Sequence, residues 1–410
     1  METFHRFSRS GSATINGTST ATFLIAETGA LYACGGNSYG RLGLGDRQKR
    51  STLTRVHLTE NVGAVVTSGG STLVLAVGGA LYSCGLNDYG QLGLRDSKNR
   101  SLLIRVPLEE SVKTVVADDA STFVLTRNGA LYTCGGNDYG QLGLGDEEIR
   151  SILTRVPLTE SVKTIVTDNS FIYILTASGA LYACGDNVRG QLGLGDRSNR
   201  SSLQRVPLDE SVKTIVNGNS SIYILTVSGA LYACGNNEHG QLGLADSRDR
   251  STLRRVPLEE SVKTVVAGNN ATYVLAVSGA LYACGYNNAG QLGLGDRENR
   301  STLQRVPLEE SAKMVVIGND SVYVLAVSGA LYVCGNNYYG QLGLGDNEHR
   351  LTLQRVPLEE RVKSITFIHF SSFIVTVNDT FNACGYNGNG QLGLGDQKAR
   401  TVFTALPELE

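Results

Sequence analysis

The sequence predicts an all-β protein, a closed β-propeller of eight four-stranded blades, and two observations carry that prediction. A motif close to GALYACGxN, followed by a variant of GQLGLGD, returns eight times at a fixed period of 50 residues between Gly29 and Asp396. Each period also holds four short runs of β-branched and aromatic residues between turn signals, which is typical of a propeller blade. Helical repeats are disfavoured, because no segment keeps a 3.6-residue hydrophobic period over ten residues.

The four runs of one repeat are named strands A to D in chain order. In the copy from Glu259 to Leu308 they are predicted at residues 264–267, 272–277, 280–284 and 301–307. Ser278-Gly279 forms a tight turn between strands B and C, a Gly-rich loop joins C to D, and Pro307 ends strand D. The nearly continuous apolar run TYVLAV predicts that strand B is covered on both faces, as when blades stack around an axis.

The repeats predict a single domain over residues 1–410, with blades at about 10–59, 60–109, 110–159, 160–209, 210–259, 260–309, 310–359 and 360–410. Seven blades with an extra partial repeat is the alternative. Residues 3–7 (TFHRF) resemble the strand D pattern TLTRV at residues 52–56. Residues 1–8 could therefore supply the outer strand of the last blade, leaving residues 401–406 outside it, and we expect eight blades with some exchange of terminal strands.

Composition argues against several functional classes. The chain is 41% hydrophobic with a formal net charge of −2, which favours a large core and gives no broad attraction to nucleic acid or an anionic membrane. No apolar run reaches membrane-spanning length, and the first residues lack the apolar core of a signal peptide. We expect a monomer in the cytoplasm or nucleus that binds neither nucleic acid directly nor a membrane.

The eight cysteines follow the repeat. They stand 50 residues apart, one in each copy, from Cys34 to Cys384. A metal site would need close spacing such as C-x-x-C, and no copy offers its cysteine an obvious disulfide partner. We therefore expect eight buried, free thiols in a reducing compartment and no metal or other cofactor.

The motifs carry a resemblance to a known family. GALYTCGGNDYGQLGLGD, followed by RVPL and then by VKTVVA, resembles the repeats of the regulator of chromosome condensation family, although cysteine stands where that family usually has tryptophan. The resemblance covers essentially the whole chain and implies a β-propeller, most often of seven blades. Its members serve unrelated tasks, among them nucleotide exchange on the small GTPase Ran, so it says little about function.

Differences among the eight copies indicate where a partner binds. The B–C turn and the D–A connection hardly vary, whereas the residues around the fixed Asn of the C–D loop and those of the A–B loop change from copy to copy. Strand alternation puts both variable loops on one face. Tyrosine and arginine are favoured in protein interfaces, so the predicted partner contacts are Tyr39, Asp88, Tyr89, Asp138, Tyr139, Arg189, Glu238, His239, Tyr286, Tyr338, Tyr339 and Tyr386.

Neutral drift of exposed loops is the competing explanation, but the equally exposed opposite face hardly varies. Rings of fixed polar residues at the Asn37, Asp46 and Arg50 positions are expected to brace the C–D loop rather than to form a site. Gly43-Leu44-Gly45 is not a phosphate-binding loop, because no Gly-Lys-Ser/Thr follows it.

No constellation of His, Cys or carboxylates breaks the eightfold equivalence, which argues against an enzyme. The sequence therefore favours a non-enzymatic scaffold that presents the variable loops to a protein, possible partners including a small GTPase. One alternative is an exchange factor or regulator of a Ran-like GTPase, although the resemblance implies an inserted β-wedge for which the constant period leaves no room. The other is a structural ring, duplicated or designed, with no dedicated partner.

Overall fold

The computed structural model describes residues 14–17 and 20–407, and every regular element in them is a β-strand. Thirty-two strands form eight sheets of four, in each of which strands consecutive along the chain pair antiparallel. The predicted eight-bladed propeller is therefore confirmed, and the alternative of seven blades with a partial repeat is wrong. The described part of the chain contains no candidate for a membrane-spanning helix.

The strands are numbered in chain order, and each blade contributes one of each kind. The A strands are β1 (Thr14–Gly17), β5 (Val62–Ser68), β9 (Val112–Ala117), β13 (Val162–Asp168), β17 (Val212–Asn217), β21 (Val262–Gly268), β25 (Ala312–Ile317) and β29 (Val362–Ile368). The B strands are β2 (Ala21–Ile25), β6 (Ser71–Ala76), β10 (Ser121–Thr126), β14 (Phe171–Thr176), β18 (Ser221–Thr226), β22 (Ala271–Ala276), β26 (Ser321–Ala326) and β30 (Ser371–Thr376). The C strands are β3 (Leu31–Gly35), β7 (Leu81–Gly85), β11 (Leu131–Gly135), β15 (Leu181–Gly185), β19 (Leu231–Gly235), β23 (Leu281–Gly285), β27 (Leu331–Gly335) and β31 (Phe381–Gly385). The D strands are β4 (Arg50–Val56), β8 (Arg100–Arg105), β12 (Arg150–Arg155), β16 (Arg200–Arg205), β20 (Arg250–Arg255), β24 (Arg300–Arg305), β28 (Arg350–Arg355) and β32 (Arg400–Ala405).

The A strands are innermost. Those of neighbouring blades contact one another, and the A strands of five blades line a common central cavity. Because the strands of a blade alternate in direction, the A–B and C–D loops emerge together on one face of the ring. We call this the loop face, and we call the side that carries the B–C turns and D–A connections the turn face.

The core lies between the blades. All six residues of β14 are buried, as the apolar run of strand B predicts. Phe123 and Leu125 of the third blade pack against Ile172 and Ile174 of the fourth in one cluster. Burial of a side chain of this size stabilises the fold by about 1.5–3 kcal/mol. A single blade leaves these faces open to water, so the fold requires its neighbours.

A recurring set of hydrogen bonds joins each blade to the next. Between the third and fourth blades the amide of Gly145 donates to the carbonyl of Ser201 (2.8 Å), and the thiol of Cys184 donates to the carbonyl of Gln141 (3.7 Å). Gly145 and Gln141 belong to the C–D loop of one blade, and Ser201 and Cys184 to strands D and C of the next. All eight cysteines donate to the corresponding carbonyl of the preceding blade.

The same bonds close the ring between the last and first blades. Gly395 donates from its amide to the carbonyl of Ser51 (2.9 Å), and Cys34 donates from its thiol to the carbonyl of Gln391 (3.6 Å). The outer strand of the last blade is β32, from the same repeat as its other three strands. The described residues thus show no exchange of terminal strands, and residues 401–406 do not lie outside the blade. The closing strand predicted at residues 3–7 falls outside the described residues.

A second recurring set of bonds braces the C–D loop. In the fourth blade the buried side chain of Asn187 accepts from the amide of Leu192 (2.9 Å) and donates to the carbonyl of Asp196 (3.1 Å). The carboxylate of Asp196 pairs with Arg200 at 2.5 Å. An Asp–Arg pair of this kind is present in every blade. These rings of polar residues therefore hold the loop, as expected from the sequence.

The thiols provide a first test of this structure. All eight cysteines are buried and free, and burial raises the pKa of Cys34, Cys84, Cys134 and Cys234 to about 12. Because the thiolate is the reactive form, we expect no thiol to react with a disulfide reagent at pH 8 in the native protein, and eight to react in 6 M guanidinium chloride. Rapid labelling of the native protein would contradict the buried position of strand C.

The loop braces provide a second test, through pH. A backbone hydrogen bond from Ser198 and the pairing with Arg200 lower the pKa of Asp196, and the equivalent carboxyls shift in the same direction. A lowered folded-state pKa stabilises the fold above the unfolded-state pKa, and this contribution is lost as the pH falls through the folded-state value. The urea midpoint should therefore fall between about pH 5 and pH 3.

The matched variants separate these pairs from general charge effects. Replacing Asp146, Asp196, Asp246 and Asp296 with Asn should lower the urea midpoint at pH 7 and flatten its decline toward acid. The control replaces Glu109, Asp209, Glu259 and Glu309, exposed carboxylates of the turn face, with their amides. If both sets of substitutions change the pH profile equally, the braces do not carry this stability.

Candidate protein-binding face

The loop face is built where the two variable loops of each blade meet. The amide of Leu86 in a C–D loop donates to the carbonyl of Gly70 in the A–B loop of the same blade (3.0 Å), and the amide of Asp186 donates likewise to Ser170 (2.8 Å). The residues that differ among repeats are thus adjacent in space as well as equivalent in sequence. The turn face carries the constant connections.

Each C–D loop displays two variable residues on a rigid turn. In the fourth blade these are Val188 and Arg189, held between Asn187 and Gly190, and the amide of Gly190 donates to the carbonyl of Asn187 (2.8 Å). Gly190 has a φ of +80°, and a Cβ there would lie 2.5 Å from the Cα of Ser251 in the next blade. Only glycine fits this position. The frame is therefore fixed by packing, whereas the two displayed side chains are free to differ.

The structure places all twelve predicted contact residues on this face, although their accessibility differs. Eight are exposed: Tyr39, Asp88, Tyr89, Asp138, Tyr139, Arg189, Glu238 and Tyr338. Four are half-buried: His239, Tyr286, Tyr339 and Tyr386. The half-buried ones pack against neighbouring side chains, and the role of all twelve in binding stays a prediction.

An aromatic cluster breaks the eightfold symmetry at the seventh and eighth blades. The ring of Tyr339 lies 5.0 Å, between centroids, from both Phe370 and Tyr386. Tyr338 stacks edge-on against Tyr339 at 4.9 Å and is itself 66% exposed, and His369 lies 4.3 Å from Phe370. We call these five residues the aromatic cluster. The exposed ring of Tyr338 thus rests on half-buried aromatic rings, an arrangement typical of the residues that anchor protein interfaces.

Other predicted contacts are held by their neighbours. The guanidinium of Arg189 lies 3.3 Å from Asp249 and 3.8 Å from Glu238, both in the next blade. The ring of His239 packs at 4.9 Å against Tyr286. The guanidinium carbon of Arg41 stands 5.5 Å from the centre of the Tyr39 ring, a cation–π contact. The contacts of Arg189 and His239 join adjacent blades, whereas Arg41 and Tyr39 belong to the same C–D loop.

The A–B loops contribute residues that were not among the twelve. His369 and Phe370 complete the aromatic cluster, and Asp118, Asp119 and Asp168 stand at the mouth of the central channel. The signal was present, because these loops also vary among the repeats. Their importance depends on contacts across blades, which a comparison of repeats does not reveal.

A cavity of about 480 Å³ occupies the central channel below these loops. Its walls are mainly apolar and come from the A strands of five blades, with Val116, Ile165 and Ile215 among them. Carboxylates of Asp118, Asp119 and Asp168 line it toward the loop face. The volume lies within the range of about 300–1,000 Å³ that is usual for ligand pockets. Among the described residues no group of three or more His, Cys, Asp or Glu is placed to hold a metal ion.

The turn face is chemically uniform by comparison. In the fourth blade the hydroxyl of Tyr182 donates to Glu160 (2.8 Å), as does that of Ser178, and the same Tyr–Glu bond recurs in blades two, five, six and seven. These bonds tie the B–C turn to the D–A connection. The turn face therefore repeats one structure, whereas the loop face changes from blade to blade.

Several solved structures share the fold of this chain over most of its length. Human WBSCR16 matches with a TM-score of 0.66 and 22% identity over 83% of this chain and 96% of that one. Prp20p from Saccharomyces cerevisiae, whose structure was described together with its binding to Gsp1p and histones, matches with a TM-score of 0.65 and 20% identity over 88% and 90%. Yeast RCC1 (Prp20) bound to Kap60 matches with a TM-score of 0.64 and 18% identity over 90% and 94%.

Comparison of the sequence with family models agrees with the fold. No curated protein matches at the level of sequence. The model of the regulator of chromosome condensation (RCC1) repeat matches residues 78–124, and that of the RCC1-like domain matches residues 105–409, well over half of the chain. With eight blades built on this repeat, the chain belongs to the RCC1-like domain family.

Proposed function

We propose that this protein is a non-enzymatic scaffold whose loop face binds a protein partner. The observation that carries the proposal is the aromatic cluster, an exposed tyrosine supported by three further aromatic rings on the face where the repeats differ. Large aromatic side chains on a preorganised base supply most of the binding energy in many interfaces. Within the described residues, the turn face shows no cluster of aromatic rings of this kind.

The equivalence of the repeats supports a binding role over catalysis. The Cys, Asp and Arg positions recur in every blade with the same partners, and these contacts stabilise the ring. Catalysis needs a unique arrangement of a nucleophile, an acid or a base. The residues that do differ are mainly tyrosines, carboxylates and amides on an open surface, which suits contact with another macromolecule.

Regulation of a Ran-like small GTPase is the second candidate. Family membership favours it, and Prp20p, a solved protein of the same fold, is described as binding Gsp1p. The constant 50-residue period weighs against it, because it leaves no room for an insertion between blades. The scaffold proposal therefore remains the first choice.

The aromatic cluster provides the test of the scaffold proposal. Replacing Tyr338 and Tyr339 with Ser removes the exposed ring and its support, so affinity for a captured partner should fall at least about tenfold. The control replaces Val277 and Val327, exposed by 67% and 68% on the turn face, with Ser. Capture from a lysate of the native cell, followed by affinity measurement on each captured protein, makes the comparison. Equal capture by both variants would contradict the proposal.

The GTPase candidate is tested separately by release of labelled GDP from Ran. A scaffold without exchange activity should leave the release rate at its spontaneous value when the protein is added at one hundredth of the Ran concentration. Acceleration at that ratio would replace the scaffold proposal by the exchange factor.

A further inference from the structure

The inner part of the loop face carries an excess of negative charge. We count the last residue of each A strand, the described A–B loop residues and the two variable residues of each C–D turn. They include seven carboxylates and one guanidinium, that of Arg189. The carboxylates are those of Asp88, Asp118, Asp119, Asp138, Asp168, Glu238 and Asp320. The chain as a whole has a net charge of only −2, so this excess is local.

Two guanidiniums lie close to these residues: that of Arg41 donates to the hydroxyl of Thr20 (3.0 Å) and the carbonyl of Gly69 (3.1 Å) in the A–B loops, and the other is that of Arg189. Arg189 pairs with Glu238 and Asp249 and so compensates the charge of these two carboxylates. The outer ring of the loop face differs, because each Asp there is paired with an Arg four residues later. The uncompensated carboxylates therefore concentrate toward the axis.

The mouth of the channel joins these carboxylates to an apolar cavity. Asp118 is 5% exposed, and its carboxylate accepts from the amide of Ser121 (2.7 Å) and the hydroxyl of Thr167 (3.0 Å), but it has no salt bridge within the described residues. Burial raises the pKa of Asp118 to about 7. Asp119 and Asp168 are more accessible and line the same cavity. Apolar walls with carboxylates at the rim suit the aliphatic stem and charged end of a Lys or Arg side chain.

A buried donor without an acceptor lies in the C–D loop of the second blade. Gln241 and Gln291 hold the position of Gln91 in the fifth and sixth blades. Their Nε2 atoms donate to the side chains of Asn270 and Asp320, each the last residue of the next A–B loop (both 3.3 Å). In the third blade that residue is Ala120, which has no acceptor in its side chain. Gln91 is 1% exposed, and its Nε2 has no partner among the described residues. The equivalent Nε2 of Gln391 in the last blade is likewise buried and without a partner among the described residues.

The opposite mouth carries the opposite charge. The second residue of the A strand is lysine in six blades: Lys113, Lys163, Lys213, Lys263, Lys313 and Lys363. The ammonium of Lys213 reaches the carbonyl of Lys263 in the next blade (3.4 Å), and that of Lys363 is paired with Asp379 (2.6 Å), so five of the six have no salt bridge within the described residues. A cationic segment is therefore attracted to the loop-face mouth and repelled at the other.

We propose that the loop-face mouth of the channel binds a cationic segment of the protein partner, with a Lys or Arg side chain inserted beside Asp118, Asp119 and Asp168. This inference rests on the proposed function and adds the chemistry of the partner. Charge complementarity of this kind speeds association and selects the partner. The aromatic cluster then contacts a second part of the same partner.

The test uses a fluorescein-labelled decapeptide of alternating Lys and Gly, titrated with the full chain and followed by fluorescence anisotropy. Replacing Asp119 and Asp168 with Asn should weaken binding about three- to tenfold, as expected for two accessible charge pairs. The matched control replaces Glu259 and Glu309, exposed on the turn face, with Gln and so changes the net charge equally. It should stay within about twofold of the wild type. Asp118→Asn is measured separately with its thermal midpoint, because Asp118 is buried.

Three outcomes would overturn the inference: equal weakening by the two double variants, no weakening by either, or equal binding of a Glu-Gly decapeptide. The captured partner separates this inference from the proposed function. If the Asp119/Asp168 variant keeps the partner at wild-type affinity while the Tyr338/Tyr339 variant loses it, the face binds a protein and the cationic segment is wrong. If the Tyr338/Tyr339 variant keeps every captured partner, the proposed function itself fails.

Discussion

The structure depends on one contact, repeated at all eight junctions between blades. The C–D loop of each blade lies against strands C and D of the next, where it makes a backbone hydrogen bond and accepts another from a buried thiol. The approach is close: a Cβ at Gly143 would lie 3.2 Å from the Sγ of Cys184. A small, weakly polar side chain satisfies both requirements, since it fills little space and still donates to a carbonyl. Cysteine at the position of the family's usual tryptophan is thus a feature of the junction itself.

Closure follows from the same contact. The last and first blades meet through Gly395, Ser51, Cys34 and Gln391, which are equivalent to the residues at every other junction. A ring closed in this way needs no shared strand, because each blade completes its own sheet. Because these constant contacts close the ring, the variable residues need not contribute to the stability of the fold. The displayed positions of the C–D turns are held by Asn and Gly on either side, and so they could diverge without cost to the ring.

The fold could be predicted from the sequence because eight copies of one repeat show the same pattern of strands and turns. Period, turn signals and apolar runs predicted the blade count and placed the strands to within one to three residues; strand C of the type repeat, predicted at 280–284, is Leu281–Gly285. The closing strand expected from residues 3–7 stays a prediction, because those residues lie outside the described part of the chain. Within that part, β32 of the last repeat completes its own blade, as the pattern of residues 401–406 already allowed.

The candidate site was predicted less fully, for a physical reason. Comparison of repeats shows which positions vary, and it located the loop face. It does not show which variable side chains meet across a junction. Tyr339 and Tyr386 occupy different positions in their repeats, and Phe370 lies in another loop, yet their rings pack together. Likewise Arg189 looked available as a contact, whereas Asp249 of the next blade holds it. Such pairings depend on side-chain direction, which the repeat pattern does not contain.

The distribution of charge links the ring to its proposed use. The Asp of each C–D loop at the Asp46 position is paired with an arginine four residues later, so these eight carboxylates stabilise the loop and contribute little to the field around the protein. Those at the channel mouth lack such partners, and the lysines lie at the far end of the same strands. A closed ring with a low-dielectric wall concentrates such a field at its mouth. The geometry of closure therefore gives the channel a polarity, and a partner approaching the loop face meets its negative end first.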